Sequence, residues 1–144
     1  MKLLLPLVMI TLLALQRCDK DEVEVSLPPD QFILKLNDTF EADDFKLQLT
    51  AITDSRCPKG VNCIWAGAAI TTLALDAPSR HDTLQLCLGS CGQVSRPFQE
   101  VHIDTLRLGG REYELSLLEV NPFPGTEKEG QEKTALFRLR AFFD

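Results

Sequence analysis

Two histidines, one tryptophan and one tyrosine are all that the 144 residues hold of these types. His81 and His102 stand apart, without the oriented partner that acid–base or nucleophilic catalysis requires. Each is expected at a plain strand or loop position. No serine sits in a Gly-x-Ser-x-Gly elbow. Asp43-Asp44 and the acidic cluster over 127–132 lack the alternating oxygen ligands of a calcium loop. No metal or cofactor is expected. Positive charge is also scarce: 15 Lys and Arg stand against 21 Asp and Glu, a net charge of −6. Residues 1–17 contain Lys2, Arg17 and no acid, so the rest of the chain is more acidic still. Such a body has no basic footprint for nucleic acid, nor for docking on anionic lipid. Only one apolar run is long, Leu3–Leu15, and it is shorter than the roughly 20 residues that span a bilayer as a helix. No internal repeat is present, and nothing after that run reads as a helix.

What is there begins with an address. Residues 1–17 read as a signal peptide: Lys2 opens it and Leu3–Leu15 is its apolar centre. Cys18 follows at once. It is the odd one of five cysteines, and an unpaired cysteine in an exported chain needs a role. Residues 18–30 read as a tether, acidic at first and stiffened by Pro28-Pro29. One β-domain fills residues 31–144, since this length suits a single domain and 44% hydrophobic residues suffice for a core.

From Gln31 onward apolar residues recur every second position. Phe32, Leu34 and Leu36 alternate, and Asn37-Asp38 marks a turn. Phe45, Leu47 and Leu49 form a half-buried strand. Ala69, Thr71, Leu73 and Leu75 form a second, apolar enough on both faces to be central. Residues 76–82 read as a loop, followed by Leu84, Leu86 and Leu88. Residues 93–97 read as irregular. Val101–Leu108 and Glu112–Val120 pair across Gly109-Gly110-Arg111, a hairpin signal. Phe137, Leu139 and Ala141 mark the last strand. The fold class is all-β: a single sandwich or Greek-key barrel of about seven or eight antiparallel strands, Ig-like in architecture.

The densest stretch is Asp54–Ala68, with Cys57, Cys63 and Trp65. It reads as a stapled, buried corner in which Trp65 packs inward and finds a partner for its indole N–H. Pro58 and Gly60 let the chain fold back, so Cys57 and Cys63 come within the disulfide range of about 4.4–6.8 Å between Cα atoms. Their spacing of five residues suits neither a zinc pair nor a Cys-x-x-Cys redox site. Gly67 allows a close backbone approach before the next strand. Cys87 and Cys91 enclose Leu88-Gly89-Ser90 and can form a local bridge. Four cysteines allow three pairings. The local pairs Cys57–Cys63 and Cys87–Cys91 are favoured, and a bridge between the two corners is the rival.

Four resemblances add expectations. Cys18, at the end of a short apolar run, resembles the processing site of bacterial lipoproteins, which implies lipid on Cys18 and anchoring in the cell envelope. Leu15 matches that family's usual residue, while Gln16 and Arg17 depart from its small ones. Cys18-Asp19-Lys20-Asp21-Glu22 resembles Bacteroidota-type lipoproteins, which implies the outer membrane, on its periplasmic or surface face. Asp82-Thr83-Leu84 and Asp104-Thr105-Leu106 resemble the O-glycosylation acceptors of exported proteins of that lineage, which implies glycans on Thr83 and Thr105. Last, Asp54-Ser55-Arg56-Cys57-Pro58…Cys63-Ile64-Trp65-Ala66-Gly67, with Leu117–Pro124, resembles small uncharacterised β-domains of secreted or lipid-anchored bacterial proteins. That resemblance spans most of Phe32–Phe143 and implies fold and address, with no chemistry to transfer.

The functional expectation is a lipid-anchored envelope module that binds or supports, without catalysis. Its partners would be the membrane, through the lipid, and an envelope protein or glycan. The loop over 121–133 is the candidate contact, with Phe123 between two prolines, because loops on rigid sandwiches commonly bind. The alternative is a small secreted enzyme or a protease-inhibitor-like domain. An apolar cleft holding two carboxylates would favour the enzyme; an exposed aromatic loop tip would favour binding.

Overall fold

The computed structural model describes residues 27–92, 98–128 and 130–142. The signal-like run, Cys18, most of the tether and the irregular stretch at 93–97 lie outside the described residues.

The described residues form nine strands in chain order. They are β1 (Gln31–Lys35), β2 (Thr39–Glu41), β3 (Lys46–Asp54), β4 (Ala68–Ala77), β5 (Arg80–Ser90), β6 (Phe98–Gln99), β7 (His102–Leu108), β8 (Arg111–Asn121) and β9 (Thr134–Phe142). All pairings are antiparallel. β2-β3-β4-β5-β6 form one sheet and β1-β9-β8-β7 the other. Neither closes on itself, so of the two arrangements expected the open sandwich is the one observed. The two shortest strands, β2 and β6, are the ones the alternation did not mark, being too brief to show a periodicity.

The alternation seen in the sequence builds the core. Phe45, Leu47 and Leu49 are buried while Lys46, Gln48 and Thr50 are exposed. Leu73, Leu86, Leu115, Leu117 and Phe137, drawn from both sheets, lie in one cluster and are fully enclosed. Burying each such side chain contributes about 2–3 kcal/mol before the cost of ordering it. β4 is central, as its two apolar faces require. Its outer face carries a second, smaller cluster of Ala68, Cys87 and Cys91, with Ile70 against it.

Three local expectations are corrected. Residues 76–82 are not a loop: β4 and β5 meet across Pro78-Ser79 alone, with Ala77 paired to Arg80, because cross-strand pairing outweighs the polarity of Asp76, Ser79 and Arg80. Leu36 faces solvent beyond the end of β1, where the chain turns at Asn37 with φ 70°. The corner at Asp54–Ala68 is stapled but not buried; Trp65 is 67% exposed.

Two bulges decide what one end of the sandwich looks like. β3 shifts register against β4 between Leu49 and Ala51. β8 shifts against β9 between Leu117 and Glu119. A bulge adds one residue and exchanges the faces beyond it. Past the first, Asp54 turns its side chain inside and none of it is exposed. At the second, Leu118 is the extra residue, half-buried and lining a surface groove, and past it Val120 takes the inward place.

Candidate functional site: the Cys57–Cys63 loop and its groove

Cys57 and Cys63 are bridged, with Cα atoms 5.9 Å apart, and Cys87 and Cys91 are bridged at 5.8 Å. The local pairing stands, and no bridge links the corners. The first loop extends the β3–β4 hairpin: the Ser55 N–H donates to the Ala68 carbonyl and the Cys57 N–H to the Ala66 carbonyl, both at 2.8 Å. At its base the chains approach so closely that a Cβ on Gly67 would lie 1.9 Å from the Ser55 carbonyl oxygen, and φ there is +70°. Only glycine fits.

Behind the loop lies a buried charge network. The Asp54 carboxylate accepts from Arg56 Nε and Nη2 at 2.8 Å each and from the Arg56 backbone N–H at 3.2 Å. Lys133 Nζ donates to the same carboxylate at 2.8 Å. Arg56 Nη2 also reaches the Val120 carbonyl at 2.7 Å, and Lys133 the Pro122 carbonyl at 3.2 Å. Burial opposes ionisation of Asp54, but the hydrogen bonds from Arg56 and Lys133 outweigh it and hold its pKa below the ordinary value. The network ties β3, the end of β8 and the start of β9 into one unit.

The loop over 121–133 is fastened to the same unit. The Arg56 guanidinium lies over the Phe123 ring, 4.3 Å from its centroid. The Lys59 N–H donates to the Pro124 carbonyl at 2.9 Å. Gly125 packs on Lys59, where a Cβ would meet the backbone nitrogen at 2.7 Å. The Asn121–Pro122 peptide is cis. Phe123 is thus half committed to Arg56, with 37% of it exposed.

What this bracing presents is apolar. Val61, Ile64 and Trp65 project from the bridged loop, and Ile64 is as exposed as in an extended chain. Phe98, at the edge of β6, is also exposed. Between Phe98 and Phe123 runs a groove of about 540 Å³, floored by Leu88, Leu118 and Val120 and edged by Glu100 and Glu119. A second hollow, of about 780 Å³, lies on the other side of Phe123, under residues 121–134, and is lined mostly by polar side chains.

The remaining candidates sit elsewhere. Thr83 and Thr105 are exposed on β5 and β7, each beside an aspartate whose carboxylate accepts the threonine N–H at 2.8 Å. His81 faces Asp76 at the surface, at 2.8 Å. His102 Nδ1 accepts the Cys87 backbone N–H at 3.2 Å, joining the edges of the two sheets. Among the described residues no cluster of His, Cys, Asp and Glu could hold a metal, and no helix is long and apolar enough to cross a membrane.

Sequence reasoning singled out Phe123 but missed the Asp54–Arg56–Lys133 network, Ile64 as a displayed residue, and Phe98. The Asp-x-Arg spacing before Cys57 was the available signal for the first pair. Lys133, 79 residues from Asp54, left none. Comparison of the chain with family models, curated proteins and solved structures finds no match.

Proposed function

We propose that this chain is a lipid-anchored binding module of the bacterial cell envelope, held in the outer membrane through Cys18 and meeting an envelope protein or glycan with its Cys57–Cys63 end. One observation carries the binding part: Ile64 and Trp65 stand exposed on a loop closed covalently and braced from behind by buried charges. Apolar side chains held in place before contact lose little entropy on binding.

The start of the described domain lies away from the bridged loop. β1 begins beside Arg138, midway along β9, and the Asp30 carbonyl accepts the Leu139 N–H at 2.9 Å. Thr134, at the other end of β9, adjoins Lys133 and its contact with Asp54. Glycans on Thr83 and Thr105 would decorate β5 and β7 and leave the loop clear.

Photo-crosslinking in intact cells tests the binding end. A photoreactive residue is placed at Ile64 and, as control, at Arg107 near the opposite end of β7. A discrete adduct from position 64 alone is expected. Equal adducts from both sites, or none from 64, would sink the assignment. Cys18→Ala is expected to move the protein to the soluble fraction; unchanged membrane retention would remove the anchor.

The groove does hold two carboxylates, Glu100 and Glu119, which favours the enzyme as a second reading. Both residues are exposed, whereas a glycosidase needs one carboxyl kept protonated by apolar surroundings. Hydrolysis of nitrophenyl glycosides, abolished by Glu100→Gln or Glu119→Gln, would replace binding with catalysis.

A further inference from the structure

We propose that the groove between Phe98 and Phe123 takes an extended segment of a partner protein, carrying an apolar side chain close to a lysine or arginine. This rests on the binding reading above and names the class of partner.

Three observations converge on that occupant. The first is an open sheet edge. β7 pairs with β8 only as far as Leu117, while β8 continues to Asn121 with β9 on its other side. Over Leu118–Asn121, about 13 Å of strand, no strand of the described residues covers the edge. Arg56 Nη2 occupies one carbonyl of it, that of Val120. Unpaired strand edges accept an added strand, and backbone pairing fixes its path. The second is the floor: Leu118, left unpaired by the bulge, lines the groove together with Leu88, Val120, Phe98 and Phe123. This lining suits an apolar side chain, not a bare charged strand.

The third is charge. Arg56 lines the groove, but its guanidinium is spent on Asp54 and the Val120 carbonyl. Glu100 and Glu119 form no ion pair among the described residues. Glu119 takes only the Asn121 amide, at 2.9 Å. The available charge of the groove is therefore negative. It selects a cation beside the apolar side chain, rejects an acidic segment, and disfavours an anionic lipid surface.

The test uses the purified full chain on an array of acetylated ten-residue Ser/Gly peptides. Their centres carry Leu-x-Lys, Leu-x-Glu, Ser-x-Lys or Ser-x-Glu. Leu-x-Lys should be retained about tenfold better than Leu-x-Glu, the scale set by exchanging an attractive for a repulsive exposed pair. The preference should shrink with salt. Glu100→Gln/Glu119→Gln should erase the Lys preference and keep that for Leu over Ser. N-methylation of the central backbone amides should abolish retention. Equal retention of Leu-x-Lys and Leu-x-Glu, a Lys preference that survives the double variant, or no retention of any peptide would overturn the groove assignment. Adducts from position 64 without any peptide preference would leave the binding module standing and remove only its groove. Loss of both would remove both.

Discussion

The two disulfide loops use the same covalent device for opposite ends. Cys87–Cys91 is enclosed, and Ala68 and Ile70 close over it. It seals the outer face of β4 and β5. Cys57–Cys63 stands in the open, Cys63 exposed and Cys57 half-buried, and it carries Val61, Ile64 and Trp65 outward. Its rigidity comes from elsewhere, from Asp54, Arg56 and Lys133 beneath it. A bridge inside a core adds packing to chain restriction. A bridge at the surface only shapes a loop, and something buried must hold that loop in place.

This contrast can be broken at either loop. The largest loss is expected from Cys87→Ser with Cys91→Ser, about 4 kcal/mol by denaturant unfolding. Roughly half comes from the short loop's entropy and the rest from hydroxyls enclosed without partners. A loss no greater than that of the outer pair would erase the distinction. Asp54→Ala should cost about 3 kcal/mol, because it leaves Arg56 mostly enclosed without its counter-charge. The same group sets a pH dependence. Its folded pKa lies below its unfolded one, so its contribution is complete above the unfolded value, near 4, and fades as pH falls through the folded value. Unfolding curves between about pH 5 and 2 should therefore lose less stability in Asp54→Ala than in the native chain; parallel losses would mean the network is not what holds the loop.

Cys57→Ser with Cys63→Ser should cost about 2 kcal/mol, close to the loop term alone. In the native fold, dithiothreitol followed by alkylation and mass spectrometry should label Cys57 and Cys63 well before Cys87 and Cys91. Simultaneous labelling would show that the buried loop is not protected. The smallest effect belongs to the displayed side chains. Ile64→Ser and Trp65→Ser should change stability by less than about 0.5 kcal/mol, as surface substitutions do, while removing the position-64 contact in cells. A loss above 2 kcal/mol would return Trp65 to a structural role.

That last prediction reverses what Trp65 suggested in the sequence. A lone tryptophan beside a disulfide and a glycine invites an inward reading, because large aromatic side chains gain most from burial. The count of interior places is settled elsewhere: Phe137, Tyr113, Phe45 and the leucines of both sheets already fill the space between them. Ile64 and Trp65 fall beyond the last rung of the β3–β4 ladder, where no second sheet lies above them. Phe123 was legible because two prolines isolate it in a loop. Its hold on Arg56 was not, since the two are brought together only by β3 and β8 ending at the same side of the sandwich.

The sequence by itself determined the all-β class, the inward residues of β3, β4, β5 and β8 as far as the bulges, and the β7–β8 hairpin, and it favoured the local disulfides over a bridge between the corners. Each follows from spacings of a few residues, and period-two alternation or a short loop closure acts over that range. Tertiary structure alone decided that β1 joins β9, that Asp54, Arg56 and Lys133 meet, and that an apolar groove with an open edge lies beside them. Those outcomes depend on two single-residue bulges that exchange the faces of β3 and β8 near their ends. A one-residue shift in pairing leaves no mark in the local pattern until the opposing strand is known.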